Sequence, residues 1–267
     1  MKNILTLQVI SLLQWLLQRI CKMKTIDLFI PCCVDQYNPE IGHDLMALLR
    51  VMGYDVNYNE EQTCCSKVLY ENGQWNEATK VGEKFLDNFD GNNFVVGCST
   101  SCIGYIKNHF GNLFRNTAYH NSYNSLAKRI MDISEFIYSH KNNCELGAEF
   151  PFRVYLHSNC QSKNYYNVEE ECKLILDKVK GLELVNRECC NSCCGFGGGL
   201  FYYNPAVSEE LARQKVQKAI DLNAEYITST DYTCLMQMDN YIRKNNLEIK
   251  TIHLVSLLMY SRKQNNE

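Results

Sequence analysis

Short apolar runs that end near a cysteine recur along this chain, and each is followed by a stretch with apolar positions at helical spacing. Asp27-Leu-Phe-Ile-Pro-Cys32 and Val154-Tyr-Leu-His-Ser-Asn-Cys160 each read as a buried strand running into a loop. Amphipathic stretches follow at 42–52 and 168–179, then Gly53 and Gly181, suited to ending a helix. Second strands are expected at 54–58 and 182–185, and cysteine pairs come next, Cys64-Cys65 and Cys193-Cys194. Thirty-one residues separate Cys32 from Cys64, and thirty-two separate Cys160 from Cys193. Helices are expected at 75–89 and 205–222, the second opening at Asn204-Pro205 ahead of Ser208-Glu209-Glu210. Third strands at 94–97 and 226–229 run toward Cys102 and Cys234, and a closing strand and helix fall within 130–140 and 251–260.

The chain is thus written twice, and alternating strands and helices predict parallel sheets with helices on their faces. The expected fold class is α/β, with two similar Rossmann-like halves related by internal duplication. Their expected bounds are 25–145 and 146–267, joined through a polar, glycine-containing stretch at 141–150 and preceded by an extension over 1–24. Within that extension 4–17 is largely apolar between Lys2 and Arg19, Lys22 and Lys24. It reads as an amphipathic surface helix or membrane-facing patch, as an over-extended start before Met23, or as an export signal. No small-x-small cleavage site follows, and Gln8, Ser11, Gln14 and Gln18 interrupt the roughly 20 apolar residues a span needs.

Composition changes the picture at one point. Among 267 residues there are 15 cysteines, an odd number in a chain too long for the small secreted class. Metal ligation or redox chemistry in the cytoplasm is favoured over a disulfide framework. A formal net charge of −3 argues against a nucleic-acid partner.

Parallel α/β sheets bind ligands beyond the carboxyl ends of their strands. Cys32, Cys64, Cys65 and Cys102 all fall in post-strand positions of the first half, and Cys160, Cys193, Cys194 and Cys234 in those of the second. Converging thiolates suit iron–sulfur clusters or zinc. A lone zinc ion usually takes C-x₂₋₄-C hooks, whereas adjacent cysteines find separate targets on a cluster of several irons. In Cys194-Gly-Phe-Gly-Gly-Gly199 the glycines, Gly195 and Gly197 among them, let backbone N–H groups approach anionic sulfur, which raises a cluster's reduction potential. On these residues alone zinc and free or exchanging thiols stay open beside iron–sulfur ligation.

The phrases Phe29-Ile-Pro-Cys-Cys-Val-Asp-Gln36, Gln62-Thr-Cys-Cys65 and Cys194-Gly-Phe-Gly-Gly198 resemble the proteins with twin cysteine-rich CCG domains, and within them the lactate utilisation protein A branch. The resemblance runs from about Thr25 to Tyr260. It implies an iron–sulfur subunit that works with ferredoxin-type partner subunits to oxidise L-lactate, or a similar hydroxyacid, to pyruvate. It implies [4Fe–4S] clusters, and the related disulfide-cleaving chain of heterodisulfide reductase holds non-cubane ones. The implied ligands are Cys32, Cys64, Cys65 and Cys102, then Cys160, Cys193, Cys194 and Cys234. Departures from the pattern are Ser66 in place of a glycine, Cys98-Ser-Thr-Ser-Cys102 one residue longer than C-x-x-C, and Thr230-Asp231 where a further cysteine would fall. A fifth thiolate is therefore expected only in the first half, from Cys98. A heterodisulfide-reductase-like activity and a zinc-stabilised interaction module are the rival readings.

Other residues read more plainly. Cys190 and Cys193 form C-x-x-C, with Cys189 adjacent, a spacing shared by zinc hooks and redox pairs. Cys33 is matched by Gln161 in the second half, and Cys21, Cys144 and Cys172 read as ordinary thiols. His157, on the strand leading to Cys160, is placed either to reach a cluster or as a buried structural histidine. His43, His109, His120, His140 and His253 lack metal-site spacing. The glycines at 195–199 lack a full G-x-G-x-x-G, so no nucleotide cofactor is expected. No C-x₂-C-x₂-C-x₃-C-P run occurs, so electrons are expected to be exchanged with another protein.

Overall fold

The computed structural model describes residues 24–140, 146–187 and 193–264. The extension before residue 24, the first half of the expected linker, Cys21, Cys144, Cys189 and Cys190 lie outside the described residues. In the first half Thr25–Phe29 (β1), Asp55–Tyr58 (β2), Phe94–Gly97 (β3) and Ile130–Asp132 (β4) form one parallel sheet in the order β2-β1-β3-β4. Arg153–Leu156 (β5), Glu183–Leu184 (β6), Tyr226–Ser229 (β7) and Lys250–His253 (β8) repeat it as β6-β5-β7-β8. The fold is thus α/β with two Rossmann-like halves. In each sheet the chain leaves the first strand to one side and returns on the other, which opens a crevice at the carboxyl ends. Ile26, Leu28, Phe29, Val95 and Val96 are all buried, as parallel strands covered on both faces require.

Packing between the halves is reciprocal. Helix Glu40–Val51 lies against Leu254–Gln264 of the second half, and Ile133–His140 lies against Glu169–Leu176. Leu45, Leu48, Phe136 and Ile137 thereby share one core with Ile175, Leu176, Leu254 and Leu258. Each such side chain contributes roughly 1.5–3 kcal/mol by burial, so neither half completes its inner face alone. Asp44, buried at this seam, accepts from Ser256 Oγ at 2.6 Å and Lys263 Nζ at 2.7 Å. The outer faces have their own cores, with Phe29, Phe85, Phe110 and Phe114 in one half and Val216, Ile227, Met238 and Ile242 in the other.

Two local features differ from the sequence reading. Cys32 and Cys160 start short helices, Cys32–Tyr37 and Cys160–Tyr165, instead of sitting in open loops. Pro31, extended at φ −62° and ψ 143°, turns the chain directly from β1 into the first of these. The cysteine pairs likewise run into one-turn helices, Lys67–Glu71 and Leu200–Tyr203, too short to show an amphipathic period. Among the described residues no helix is long and apolar enough to cross a membrane.

Equivalent ends of β4 and β8 carry opposite titrating groups. Asp132 is fully buried and accepts from Ser134 N at 2.9 Å and from Ser134 Oγ. Burial outweighs these bonds and raises its pKa to about 7. His253, also buried, lies 3.1 Å from the Cys98 carbonyl, and burial pushes it down to about 4. For Asp132 the folded value is the higher one, so its stabilising effect is complete at acid pH and is lost as pH climbs toward 7. For His253 the folded value is the lower one, so its effect is complete above its ordinary 6.5 and is lost as pH falls toward 4. The two slopes, each up to about 1.4 kcal/mol per pH unit, oppose one another between these limits. Urea unfolding of the metal-free chain from pH 4.5 to 6.5 tests this. Relative to the parent, Asp132→Asn loses stability as pH falls and His253→Gln loses it as pH rises; parallel profiles would refute the assignment.

Candidate metal centre

The carboxyl ends of both sheets face one cavity of about 240 Å³. Cys32, Cys64, Cys65, Cys102, Cys160, Cys193, Cys194 and Cys234 all line it. The sequence placed each set at the end of its own half; the docking of the halves brings the two sets to one space. Sγ atoms stand 3.5 Å apart in Cys32–Cys64, 3.8 Å in Cys160–Cys193 and 3.1 Å in Cys194–Cys234. Two thiolates 2.3 Å from one tetrahedral ion lie about 3.8 Å apart, so these spacings suit a shared metal or cluster. Every described cysteine is a free thiol. Cys33 is also on the wall, whereas Cys98 is not: its side chain is fully buried in the core shared by the halves. A fifth thiol of the first half therefore comes from Cys33. Cys172 is buried in that same core, away from the cavity.

The two cysteine pairs are set up alike. Gly195, at φ +90°, directs its N–H to Cys193 Sγ at 3.3 Å. A Cβ there would meet the Ser208 carbonyl oxygen at 2.4 Å, so only glycine fits. Ser66, which the sequence marks as a departure, adopts the same left-handed conformation at φ 64°, and its backbone N–H bonds Cys64. Its buried hydroxyl lies 3.2 Å from Tyr105 Oη. Gly197 borders the cavity, but a Cβ on it would meet nothing within 4 Å, so its position imposes no such demand.

Hydrogen bonds divide the thiols into donors and acceptors. Cys64 is held well below the usual thiol range by bonds from Cys32 and Cys65. Cys193 is lowered by Cys160 and Cys194, then by the Gly195 N–H, and Cys102 by Cys65. Cys65, Cys160 and Cys194 are correspondingly raised by donating and by burial. In the reduced, metal-free chain the alkylation rates of Cys64 and Cys193 should be nearly flat from pH 5.5 to 8. An ordinary thiol rises about tenfold per unit over that range. Peptide mass spectrometry after timed iodoacetamide pulses reads both, and a tenfold rise per unit at Cys64 or Cys193 would refute the bonding pattern.

The model for the cysteine-rich domain, CCG, matches residues 26–107 and 154–239, which together make up more than half of the chain. The chain belongs to the CCG cysteine-rich domain family. Lactate utilization protein A of Oceanobacillus iheyensis is 29% identical over 87% of this chain and 96% of its own. Lactate utilization protein A 1 of Bacillus mycoides is 28% identical over 90% and 98%. Among solved structures, a hypothetical protein from Helicobacter pylori is similar in fold, with a TM-score of 0.56 at 14% identity over 89% of this chain. This chain spans 48% of that protein.

Around the CCG motifs stand residues the sequence reading did not assign to the site. Gln62 Oε1 accepts from Ile30 N at 2.9 Å and Asn186 Oδ1 from Leu156 N at 2.7 Å, tethering the segments before each cysteine pair to the end of β1 or β5. The available signal was an amide two residues before the first pair; Asn186 stands seven residues before the second, so no shared spacing marks it. Lys67 is the one basic residue on the described cavity wall, 3.7 Å from Glu71. Phe196 occupies the corresponding place after the second pair, so the two sets of thiols differ in their electrostatic surroundings. Asp231 is buried between the halves. It accepts from Ser99 Oγ at 2.7 Å, Thr100 Oγ1 at 2.9 Å, Ser101 N at 3.0 Å, Ser101 Oγ at 2.8 Å, and Asn159 Nδ2.

Proposed function

We propose that this protein is the iron–sulfur subunit of an oxidoreductase complex that oxidises L-lactate, or a similar hydroxyacid, to pyruvate. The observation that carries the reading is the convergence of eight thiols, in two matched sets, on one cavity. The relatives' name supplies the substrate class. Cys32, Cys64, Cys65 and Cys102 would hold one [4Fe–4S] cluster and Cys160, Cys193, Cys194 and Cys234 another, of cubane or non-cubane type. When bound, such clusters accept and release single electrons. The chain's own residues hold thiolates at Cys64 and Cys193 by donation from neighbouring thiols and then from backbone N–H groups, place one cation, Lys67, on the described cavity wall, and keep the sulfurs buried or half-buried. Electrons would pass to or from ferredoxin-type partner subunits in the cytoplasm.

Anaerobic purification followed by iron and acid-labile sulfide analysis and electron paramagnetic resonance tests the cofactor. Lactate-dependent reduction of the resonance signal in the presence of the partner subunits tests the reaction. Zinc without iron or sulfide would overturn the reading.

A further inference from the structure

The two halves do not offer the same donors. Among the described residues the first has five thiols on the cavity wall, Cys33 included; in the second, Gln161 stands in the sequence where Cys33 does in the first, and the described wall carries four. The second half also differs at a buried position beside its thiols. Three residues before its first cysteine it has His157, where the first half has Phe29. Phe29 packs edge-on against Phe85, with ring centroids 5.1 Å apart, inside an aromatic core. His157 extends β5 by donating its N–H to the Thr228 carbonyl at 2.8 Å and is only 1% exposed. A ring nitrogen of His157, Cys194 Sγ and Cys234 Sγ all lie within 4.8 Å of one another. A metal bonded to one nitrogen at about 2.0 Å and to thiolates at about 2.3 Å needs donors roughly 3.5–3.8 Å apart, and the separations in this trio, all within 4.8 Å, exceed that by about 1 Å at most.

We propose that His157 is a nitrogen ligand of the second-half centre, so that its donor set is four thiolates and one imidazole, against five thiols in the first. The chemistry fits a thiophilic borderline metal, for which imidazole and thiolate are both good donors. The identity of that metal as iron rests on the proposed function; the donor set itself does not.

The full chain, labelled with ¹⁵N-histidine and reconstituted anaerobically with iron and sulfide, is examined in the reduced state by pulsed electron–nuclear double resonance. A directly bonded ¹⁵N coupling is expected, and it disappears in His157→Phe, which installs the first half's residue. A paramagnetic cluster without such a coupling overturns the proposal. In a second arm, Co(II) alone is added to the metal-free chain. The parent is expected to show thiolate-to-cobalt charge-transfer bands and a paramagnetically shifted imidazole N–H resonance, the latter lost in His157→Phe and absent in His157→Cys, which nevertheless keeps the cobalt. Thiolate-bound cobalt with no resonance that depends on His157 overturns the proposal. A parent that takes up neither iron nor sulfide defeats the iron–sulfur reading alone, and the cobalt arm still decides the ligand. Should His157→Phe fold poorly, the labelled parent and His157→Cys decide it.

Discussion

Serine at Cys193 or Cys194 should strip the second-half centre and spare the first, so that iron and sulfide in anaerobically purified protein fall to about half. Cys193 is held as a thiolate through Cys160, Cys194 and the Gly195 N–H. Cys194 lies 3.1 Å from Cys234, deep in the cavity wall. A serine oxygen is harder, ionises far less readily and makes a shorter bond, so it replaces a soft thiolate poorly at either place. Cys172→Ser is the control: that thiol is buried in the core between the halves and its loss should leave metal content unchanged. Equal iron in all three variants would contradict the assignment. Complete loss of iron from either single variant would mean that both sets of thiols serve one shared centre.

The parts of this molecule legible in its sequence are those encoded over a few consecutive residues. Strands β3 and β7 fall at 94–97 and 226–229, where Phe94-Val-Val-Gly97 and Tyr226-Ile-Thr-Ser229 place them, because aromatic and β-branched residues in a short run suit a buried pleated strand. The parallel direction of the strands then follows from alternation, whereas their order does not. What was hidden depends on contacts between the halves. Leu45 and Leu254 look like ordinary members of amphipathic helices, and nothing in their spacing says that each meets the other half. The single cavity is a consequence of that docking, so it was equally hidden. Ser66 was unreadable for a different reason: a left-handed serine is uncommon, and its hydroxyl is fixed by Tyr105, far away in the chain. Motif spacing favours Cys98 as the further first-half thiol, whereas the turn at Pro31 puts Cys33 on the wall and the end of β3 leaves Cys98 in the core, a placement that spacing alone does not encode.

Asp231 enters the sequence reading only as part of a place where a cysteine is lacking, yet its replacement should cost the fold more than most changes at the thiols. One carboxylate there satisfies donors from Ser99, Thr100, Ser101 and Asn159, three of them in the other half, and it is 1% exposed. It also sits at the N-terminal end of helix Tyr232–Lys244, while Ser99 to Ser101 open helix Thr100–Phe114. Cys234 and Cys102 lie in the first turns of these two helices, so the carboxylate fixes their spacing across the seam. Asp231→Leu leaves the donors buried without an acceptor, and stability should drop by about 3–5 kcal/mol. For a chain of this size that is a fall of roughly 10 °C in melting temperature. Asp231→Asn keeps one acceptor oxygen but turns an amide N–H₂ toward groups that themselves donate, so it should recover only part of the loss. Calorimetry and urea unfolding of the metal-free chain read the cost without involving any cluster. A change below about 1 kcal/mol in Asp231→Leu would mean that the seam is held by its apolar contacts alone. The alkylation profile of Cys102 separates the roles further: its depressed pKa depends on the Cys65 thiol. The Asp231 charge by itself raises Cys102, so Asp231→Asn would lower Cys102 further if charge were its whole effect; because Asp231 sets the spacing of the two helices, the profile should instead shift toward an ordinary thiol's in Asp231→Asn even where the chain remains folded.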